Sequence, residues 1–154
     1  RRRMRGNNGC LFALITLPIA LGDQNAMIWQ HRSDMRSGAA SHVLTGSATK
    51  RTMHQQLVPL LLADTVRELW GLDAPHALKI DVDGFEAQVL AGAEGLLREP
   101  RLRVILLELQ TRNDAAILTW LDAQGWTVAE QYPERGGIYY ARFARRGGGD
   151  HAPV

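Results

Sequence analysis

Three carboxylates fall within six residues of one another, and their position in the sequence is suited to chemistry. Asp81, Asp83 and Glu86 follow a short apolar run and surround Gly84. The apolar positions alternate as in a strand before Gly84 and take helical spacing after it, which predicts a strand, a tight turn and a helix. In an open α/β sheet such a turn lies at the carboxyl end of the strand, where ligands bind. We therefore take residues 77–86 as the candidate functional centre.

A fourth carboxylate, Glu108, ends the next strand-like run. If it converges with the other three, their repulsion should raise some of the pKa values unless a cation intervenes. Lys79 is the nearest candidate for that cation, along with a bound metal or a positively charged ligand. Asp81 needs partners in any case, because it lies in an apolar strand that we expect to be covered on both faces.

A purely structural interpretation of these residues stays open. Asp83 is placed to cap the following helix. Glu86 in the first turn would favour the helix dipole, worth about 0.3 to 1 kcal/mol.

The elements around the centre alternate in a way that indicates the fold class. After the strand comes one long predicted helix, residues 87–98, and then the strand that begins near Val104. Asn113 or Asp114 can cap a further helix, which Gly125 ends. Residues 126–131 and 138–143 form a hairpin pattern. The sequence thus predicts an α/β protein whose parallel strands and helices end in an antiparallel hairpin.

The upstream half is less regular. Residues 1–9 are interpreted as a loose lead-in, residues 11–20 as a buried strand and residues 26–31 as a second strand. Residues 32–55 show no sustained period and predict a long surface loop. Residues 57–62 predict a strand at a sheet edge, because Pro59 lacks a donor. Thr65 and Glu68 have the spacing of a capping box, which predicts a helix over 65–70 ended by Gly71.

Length and composition favour one domain. The chain has 154 residues, of which 45% are hydrophobic and 22% charged. We assign residues 1–10 to a basic lead-in, 11–145 to the domain and 146–154 to a flexible tail. The net charge is only +2 and is concentrated at the ends, so we expect neither a nucleic acid nor a membrane partner. Cys10 is the single cysteine, which excludes an internal disulfide and agrees with a cytoplasmic location.

The central motif resembles the signature of the FkbM-type methyltransferase family. That signature has an (I/L)-K-I-D-V-(E/D)-G-x-E strand and turn, followed by a helix that ends near V-L-x-G-A, and residues 78–93 are similar to it throughout. Residues 104–109 resemble the family's next strand with its acidic end, and residues 19–23 resemble its A-L-(G/S)-D step. The similarity extends over about residues 14–143.

This resemblance implies a Rossmann-like, class I methyltransferase fold that uses S-adenosylmethionine to methylate a hydroxyl, often of a sugar or secondary metabolite. By position, Ala20, Leu21 and Asp23 would lie near the adenine end of the cofactor. Asp81 would lie by the methyl donor. Asp83 and Glu86 would border the acceptor, where a carboxylate can orient or deprotonate a hydroxyl.

The sequence departs from the family pattern at its start. Family members carry a strand and a glycine-rich turn before the A-L-(G/S)-D step, and residues 1–9 contain no such strand. We therefore expect an incomplete fold and cofactor site, as in the carboxyl-terminal portion of a longer enzyme or in a degenerate copy. We assign no metal-binding residues, and both the use of a metal and the oligomeric state are left open.

Two alternatives remain. Asp81 and Asp83 also resemble the D-x-D-G opening of haloacid-dehalogenase-type phosphatases, in which they would be nucleophile and acid beside a carboxylate-bound magnesium. Those enzymes need a downstream lysine, whereas Lys79 is the last lysine of this chain. The other alternative is a degenerate methyltransferase domain that folds, or docks on a partner, without turnover.

Overall fold

A computed structural model describes residues 2–5, 11–32, 42–46, 54–112, 114–133 and 135–147. Those residues form three sheets and four helices. The strands are β1 (Arg2–Arg5), β2 (Leu11–Leu14), β3 (Ala20–Leu21), β4 (Ala26–Arg32), β5 (His42–Thr45), β6 (His54–Leu61), β7 (Ala77–Ile80), β8 (Val104–Gln110), β9 (Trp126–Gln131) and β10 (Ile138–Arg145). The helices are α1 (Ala63–Trp70), α2 (Glu86–Ala91), α3 (Glu94–Arg98) and α4 (Asp114–Ala123).

The sheet that carries the candidate centre has the strand order β7-β8-β10-β9. Strands β7 and β8 are parallel, and β10 is antiparallel to both of its neighbours. Three strands therefore run in one direction and only β10 is reversed. The predicted parallel strands and closing hairpin are both present, and the protein is a mixed α/β protein.

One face of this sheet forms the main core. Along β8 the side chains alternate between buried and half-buried, because successive residues of a strand point to opposite faces. The buried set packs with the apolar faces of α2, α3 and α4. Its largest fully buried members are Trp126, Phe143, Leu90, Leu97, Leu102, Ile105, Leu107, Leu109 and Leu121. The opposite face of β8 contains the half-buried Glu108.

The upstream half builds a second sheet in the order β3-β6-β4-β5, in which β3 and β6 are parallel. Two predictions for this half are wrong. The expected loop over residues 32–55 contains β5 and the start of β6, since β4 continues to Arg32 and pairs with both. Strand β6 is internal rather than at an edge. Pro59 is tolerated there because β3 pairs only with Leu60 and Leu61, which leaves Pro59 a single ladder partner, Met27.

The beginning of the chain also differs from expectation. Residues 11–20 do not form one strand: β2 ends at Leu14 and β3 begins at Ala20. The predicted lead-in contains β1, which pairs with β2 in a separate hairpin. Residues 6–10, including Cys10, and the predicted tail from residue 148 onward lie outside the described residues.

The predicted long helix is two short helices, broken at Gly92. A Cβ on Gly92 would fall on the backbone carbonyl of Gly22, so only glycine allows these two segments to approach. Asp64 of α1 caps the second helix across this contact. Its carboxylate oxygens accept hydrogen bonds from the backbone amides of Gly95 and Leu96, both at 2.7 Å.

The predicted capping box in α1 is wrong. The helix begins two residues before Thr65, and its N-cap residue, Leu62, makes no side-chain capping bond. The Thr65 hydroxyl instead accepts a hydrogen bond from Asn25 at 3.1 Å. The predicted end of the helix is confirmed, since Gly71 adopts the left-handed conformation (φ 56°) of a C-terminal cap. No helix in the described part of the chain is long and apolar enough to span a membrane.

Candidate functional site

Three neighbouring strands bring polar side chains together at one end of the downstream sheet. Asp81 follows the last residue of β7, Glu108 lies near the end of β8, and Tyr140 is directly opposite Glu108 on β10. The carboxyl ends of parallel strands meet at the same sheet edge, which explains why β7 and β8 supply residues 27 positions apart to one place. This edge is where ligands bind in α/β proteins.

The side chains form a continuous polar chain. Lys79 Nζ lies 2.8 Å from Asp81 Oδ2. The Tyr140 hydroxyl lies 3.3 Å from the same Asp81 oxygen and 2.8 Å from Glu108 Oε2. Lys79 also lies 5.7 Å from the centre of the Tyr140 ring, within range of a cation–π attraction. We refer to Lys79, Asp81, Glu108 and Tyr140 as the edge cluster.

The two carboxylates of the edge cluster differ in pKa. The hydrogen bond and charge of Lys79 lower the pKa of Asp81 despite some burial. Desolvation raises the pKa of Glu108, and the neighbouring charges of Asp81 and Asp83 raise it further, while the hydrogen bond from Tyr140 opposes the rise. Asp81 is thus held as an anion, and Glu108 takes up a proton more readily than an ordinary glutamate. We expected repulsion to raise some of the pKa values unless a cation intervenes; Lys79 intervenes at Asp81, and the pKa of Glu108 is raised.

The lysine and the tyrosine respond to the same contacts. The hydrogen bond to Asp81 raises the pKa of Lys79, which keeps the ammonium charged. The hydrogen bond to Glu108, followed by desolvation, raises the pKa of Tyr140 to about 12. Tyr140 therefore stays a neutral hydroxyl that donates its single proton at neutral pH.

Asp83 lies in the exposed turn beyond β7 and has a left-handed backbone (φ 53°), which is uncommon for a residue other than glycine. The N-cap position of α2 belongs to Phe85, whose side chain makes no capping bond. The charge of Asp83 reaches the edge cluster, where it contributes to the raised pKa of Glu108.

Glu86 is buried, whereas Asp81 and Asp83 are exposed and Glu108 is half-buried. Glu86 is the first residue of α2, only 6% exposed, and its Oε1 accepts a hydrogen bond from the Gly84 amide at 3.0 Å. Glu86 therefore fixes the shape of the turn from inside. The structure brings Asp81 and Glu108 into contact through Tyr140, with Asp83 nearby, and directs Glu86 into the interior.

The residues predicted to bind a cofactor lie at the end of β3. Ala20 and Leu21 form that strand and are half-buried, and Asp23 is exposed in the turn that follows. Gly22 between them is packed closely: a Cβ there would lie 3.1 Å from Phe85 at the start of α2. The end of β3 is thus adjacent to the turn that contains Asp83 and Glu86.

Sequence reasoning missed Tyr140. The strand around it was predicted, but as the second half of a hairpin with β9 only, whereas β10 inserts between β9 and β8. The available signal was the pair Tyr139-Tyr140, which must point to opposite faces of the sheet. Tyr139 is buried and donates to Asp114 at 2.6 Å on the core side, which leaves Tyr140 on the side of Glu108.

The described residues include no group of three or more His, Cys, Asp and Glu side chains arranged to hold a metal ion. The acidic residues at the sheet edge are instead connected by Lys79 and Tyr140.

The family model described as "Methyltransferase FkbM domain" matches residues 8–128. The match includes β7, the turn and β8, and ends before β10. No curated protein and no solved structure matches the chain.

Proposed function

We propose, since the chain belongs to the FkbM methyltransferase family, that it transfers the methyl group of S-adenosylmethionine to a hydroxyl of a sugar or a secondary metabolite. The observation that carries this proposal is the edge cluster. A carboxylate held as an anion and a second, more basic carboxylate lie within hydrogen-bonding distance of one tyrosine at the ligand-binding edge of a parallel strand pair.

The residues present suit a cationic cofactor. S-adenosylmethionine supplies the electrophilic methyl group, and its sulfonium charge is attracted to carboxylates such as Asp81. In the proposal Ala20 and Leu21 contact the adenine end, and Asp23 accepts hydrogen bonds there. The adjacency of Gly22 and Phe85 supports this assignment, because it keeps the end of β3 beside the turn after β7.

The acceptor in this proposal lies against the turn. Asp83 is exposed and borders the acceptor, while Glu86 contributes indirectly by holding Gly84 in place. Methyl transfer to a positioned oxygen depends mainly on alignment, so a rigid turn is useful even without covalent participation of the protein. The Rossmann-like, class I architecture is part of the same proposal and is supported by the parallel β7 and β8 with helices between them.

The proposal also includes the kind of acceptor, the partners and the cellular location. A small molecule or glycan hydroxyl is the acceptor, with neither nucleic acid nor membrane as partner, and the single Cys10 suits the reducing cytoplasm. For the phosphatase alternative neither the comparisons nor the described residues give support.

Calorimetric titration with S-adenosylmethionine tests the cofactor assignment. We expect binding that weakens at least about tenfold in Asp81→Asn, since a charge-assisted interaction is lost. Asp73→Asn is the matched control, because the Asp73 side chain is 94% exposed and precedes β7, whereas Asp81 follows it. Absence of any binding by the wild-type protein would contradict the proposal for this chain.

Release of S-adenosylhomocysteine in the presence of a panel of sugars and hydroxylated aromatics tests the reaction. We expect release that depends on at least one of these compounds. Binding of the cofactor without release across sugars, polyols and phenols would favour the degenerate, non-catalytic domain.

A further inference from the structure

We propose that Glu108 accepts the proton of the acceptor hydroxyl and that Tyr140 is the positioning residue that holds Glu108 for this task. The inference rests on the proposed methyl transfer and deepens it, because it assigns proton acceptance to a carboxylate outside the signature motif.

Asp81 is already paired with a cation and contacts a hydroxyl. Its Oδ2 atom is 2.8 Å from the Lys79 ammonium and also 3.3 Å from the Tyr140 hydroxyl. A carboxylate paired with a lysine is a poor base, because protonation would break the ion pair. Asp81 is suited to attract positive charge and to remain charged throughout.

Glu108 lies at the same edge of the sheet, but none of the described residues forms an ion pair with it. The described salt bridges include none to Glu108, and its close partner is the neutral hydroxyl of Tyr140 at 2.8 Å. It is half-buried on the face of β8 opposite the core. When two carboxylates share a site and their surroundings separate their affinities for protons, the more basic one is the proton acceptor.

The titratable groups that face Glu108 support this assignment. They are Lys79 from β7, Asp81 and Asp83 from the turn that follows it, and Tyr140 from β10. Arg142, two residues beyond Tyr140, is paired with Glu130 at 3.2 Å and so is engaged elsewhere. Burial and the two aspartates raise the pKa of Glu108, which brings the base closer to the pH at which it must work.

Tyr140 holds the carboxylate of Glu108, which accepts the proton of the acceptor hydroxyl in this proposal. The hydroxyl has one proton, which it donates to Glu108 Oε2 at 2.8 Å, the shorter of its two contacts. Its pKa of about 12 keeps that proton in place at neutral pH. The hydrogen bond therefore orients the carboxylate of Glu108 on the side that Asp81 and the turn share.

The proposed methyl transfer conserves atoms and charge. The acceptor oxygen forms a bond to the methyl carbon while the carbon–sulfur bond breaks, and the electron pair of that bond stays on sulfur. The hydroxyl proton passes to the carboxylate of Glu108. The positive charge of the sulfonium is lost, the acceptor leaves as a neutral ether, and Glu108 returns its proton to water.

The pH dependence of turnover tests the assignment. With the acceptor compound that gives the highest release of S-adenosylhomocysteine, we expect kcat/KM to fall at acid pH as Glu108 becomes protonated. Glu108→Gln should lower kcat by about 10²- to 10⁴-fold and abolish the acid limb. Tyr140→Phe should lower kcat by about tenfold. It should also move the acid limb to higher pH, because the hydrogen bond that lowers the pKa of Glu108 is removed.

The chain offers a matched control on the same sheet. Tyr132 and Glu130 form a tyrosine–carboxylate pair at 3.0 Å on the exposed end of β9. Tyr132→Phe and Glu130→Gln should leave both kcat and the acid limb unchanged. A change of the acid limb that is equal in both pairs would overturn the assignment.

A second measurement needs no turnover. In a ¹³C-carboxyl NMR titration of the wild-type protein we expect Glu108 to hold its proton to a higher pH than Asp81. The reverse order would overturn the assignment whatever the kinetics. If the wild-type protein is active and its Glu108→Gln variant keeps the acid limb, only the role of Glu108 is contradicted. If the wild-type protein is inactive, the proposed function and this inference are both contradicted.

Discussion

At the scale of single residues, Lys79 decides how two neighbouring carboxylates differ. Lys79 forms an ion pair with Asp81, whereas the close partner of Glu108 is the neutral hydroxyl of Tyr140. Asp81 is therefore held as an anion, and Glu108 is the more basic of the two carboxylates. The sequence indicated that a cation among the carboxylates would matter and that Lys79 was the nearest candidate. It did not show Tyr140, because the partner of β8 at that position comes from a strand 32 residues later in the chain.

Removal of this lysine should have a pH-dependent effect on stability. The pKa of Asp81 is lowered in the folded protein, so its contribution is present above its ordinary value of 3.8 and is lost as the pH falls through the folded value. Lys79→Met should therefore reduce the free energy of unfolding near neutral pH only slightly, because the pair is largely exposed and screened by solvent. The difference from wild type should disappear at strongly acid pH.

Urea denaturation at several pH values measures this difference. Arg98→Met removes an exposed helical pair with Glu94 and is the control, since no Asp81 contact is changed. A Lys79 variant whose deficit stayed constant down to the lowest pH would show that packing rather than charge explains the loss.

At the scale of elements, helix α3 depends on a residue 30 positions earlier in the chain. Its own N-cap residue, Ala93, offers no side-chain acceptor, and the Asp64 carboxylate takes that place with two amides at 2.7 Å. The break before α3 could not be predicted from local sequence, because residues 86–98 have the apolar spacing of one helix. The cause is the close approach of Gly92 to Gly22.

Asp64→Ala should lower the free energy of unfolding by about 1 to 2 kcal/mol, the usual cost of a lost helix cap. Asp73→Ala, whose side chain is almost fully exposed and 3.9 Å from Arg101, should change it by less than about 0.5 kcal/mol. Chemical denaturation compares the two variants directly. Equal stabilities would mean that water replaces Asp64 at no cost.

At the scale of the whole molecule, the two larger sheets are connected through α1 and the helices that follow β7. The connection includes the Asp64 cap, the ion pair of Arg67 with Glu99 at 2.5 Å, and the amide of Asp64 bonded to the Gly92 carbonyl at 3.2 Å. The proposed cofactor residues lie in one sheet and the edge cluster in the other. The proposed site therefore depends on this connection.

Gly92→Ala tests the connection. Its Cβ would meet backbone rather than a movable side chain, so we expect a loss of about 3 kcal/mol or more and weaker binding of S-adenosylmethionine. Gly46→Ala is the control, because a Cβ at Gly46 meets nothing within 4 Å. Thermal unfolding combined with calorimetric titration measures both effects. A Gly92 variant as stable as wild type would mean that the two sheets separate without cost.

The sequence predicted the downstream half far better than the upstream half. Strands β7, β8 and β9 are separated by helices and have strong apolar patterns, and their type and chain order were predicted, whereas the insertion of β10 between β8 and β9 was not. The upstream strand β5 and the first residues of β6 lie in a polar stretch where the sequence shows no period, and pairing with β4 defines them. The positions of Asp81 and Glu108 followed from strand ends, whereas the inward turn of Glu86 followed from a local hydrogen bond that spacing does not encode.

The two adjacent tyrosines of β10 have a consequence for how that strand is aligned. Tyr139 and Tyr140 each bind a carboxylate, one on the core face and one on the edge-cluster face, at 2.6 and 2.8 Å. A slip of one residue would exchange the faces of both rings and break both bonds at once. The register of β10 is therefore fixed from two sides, and with it the identity of the hydroxyl that meets Glu108.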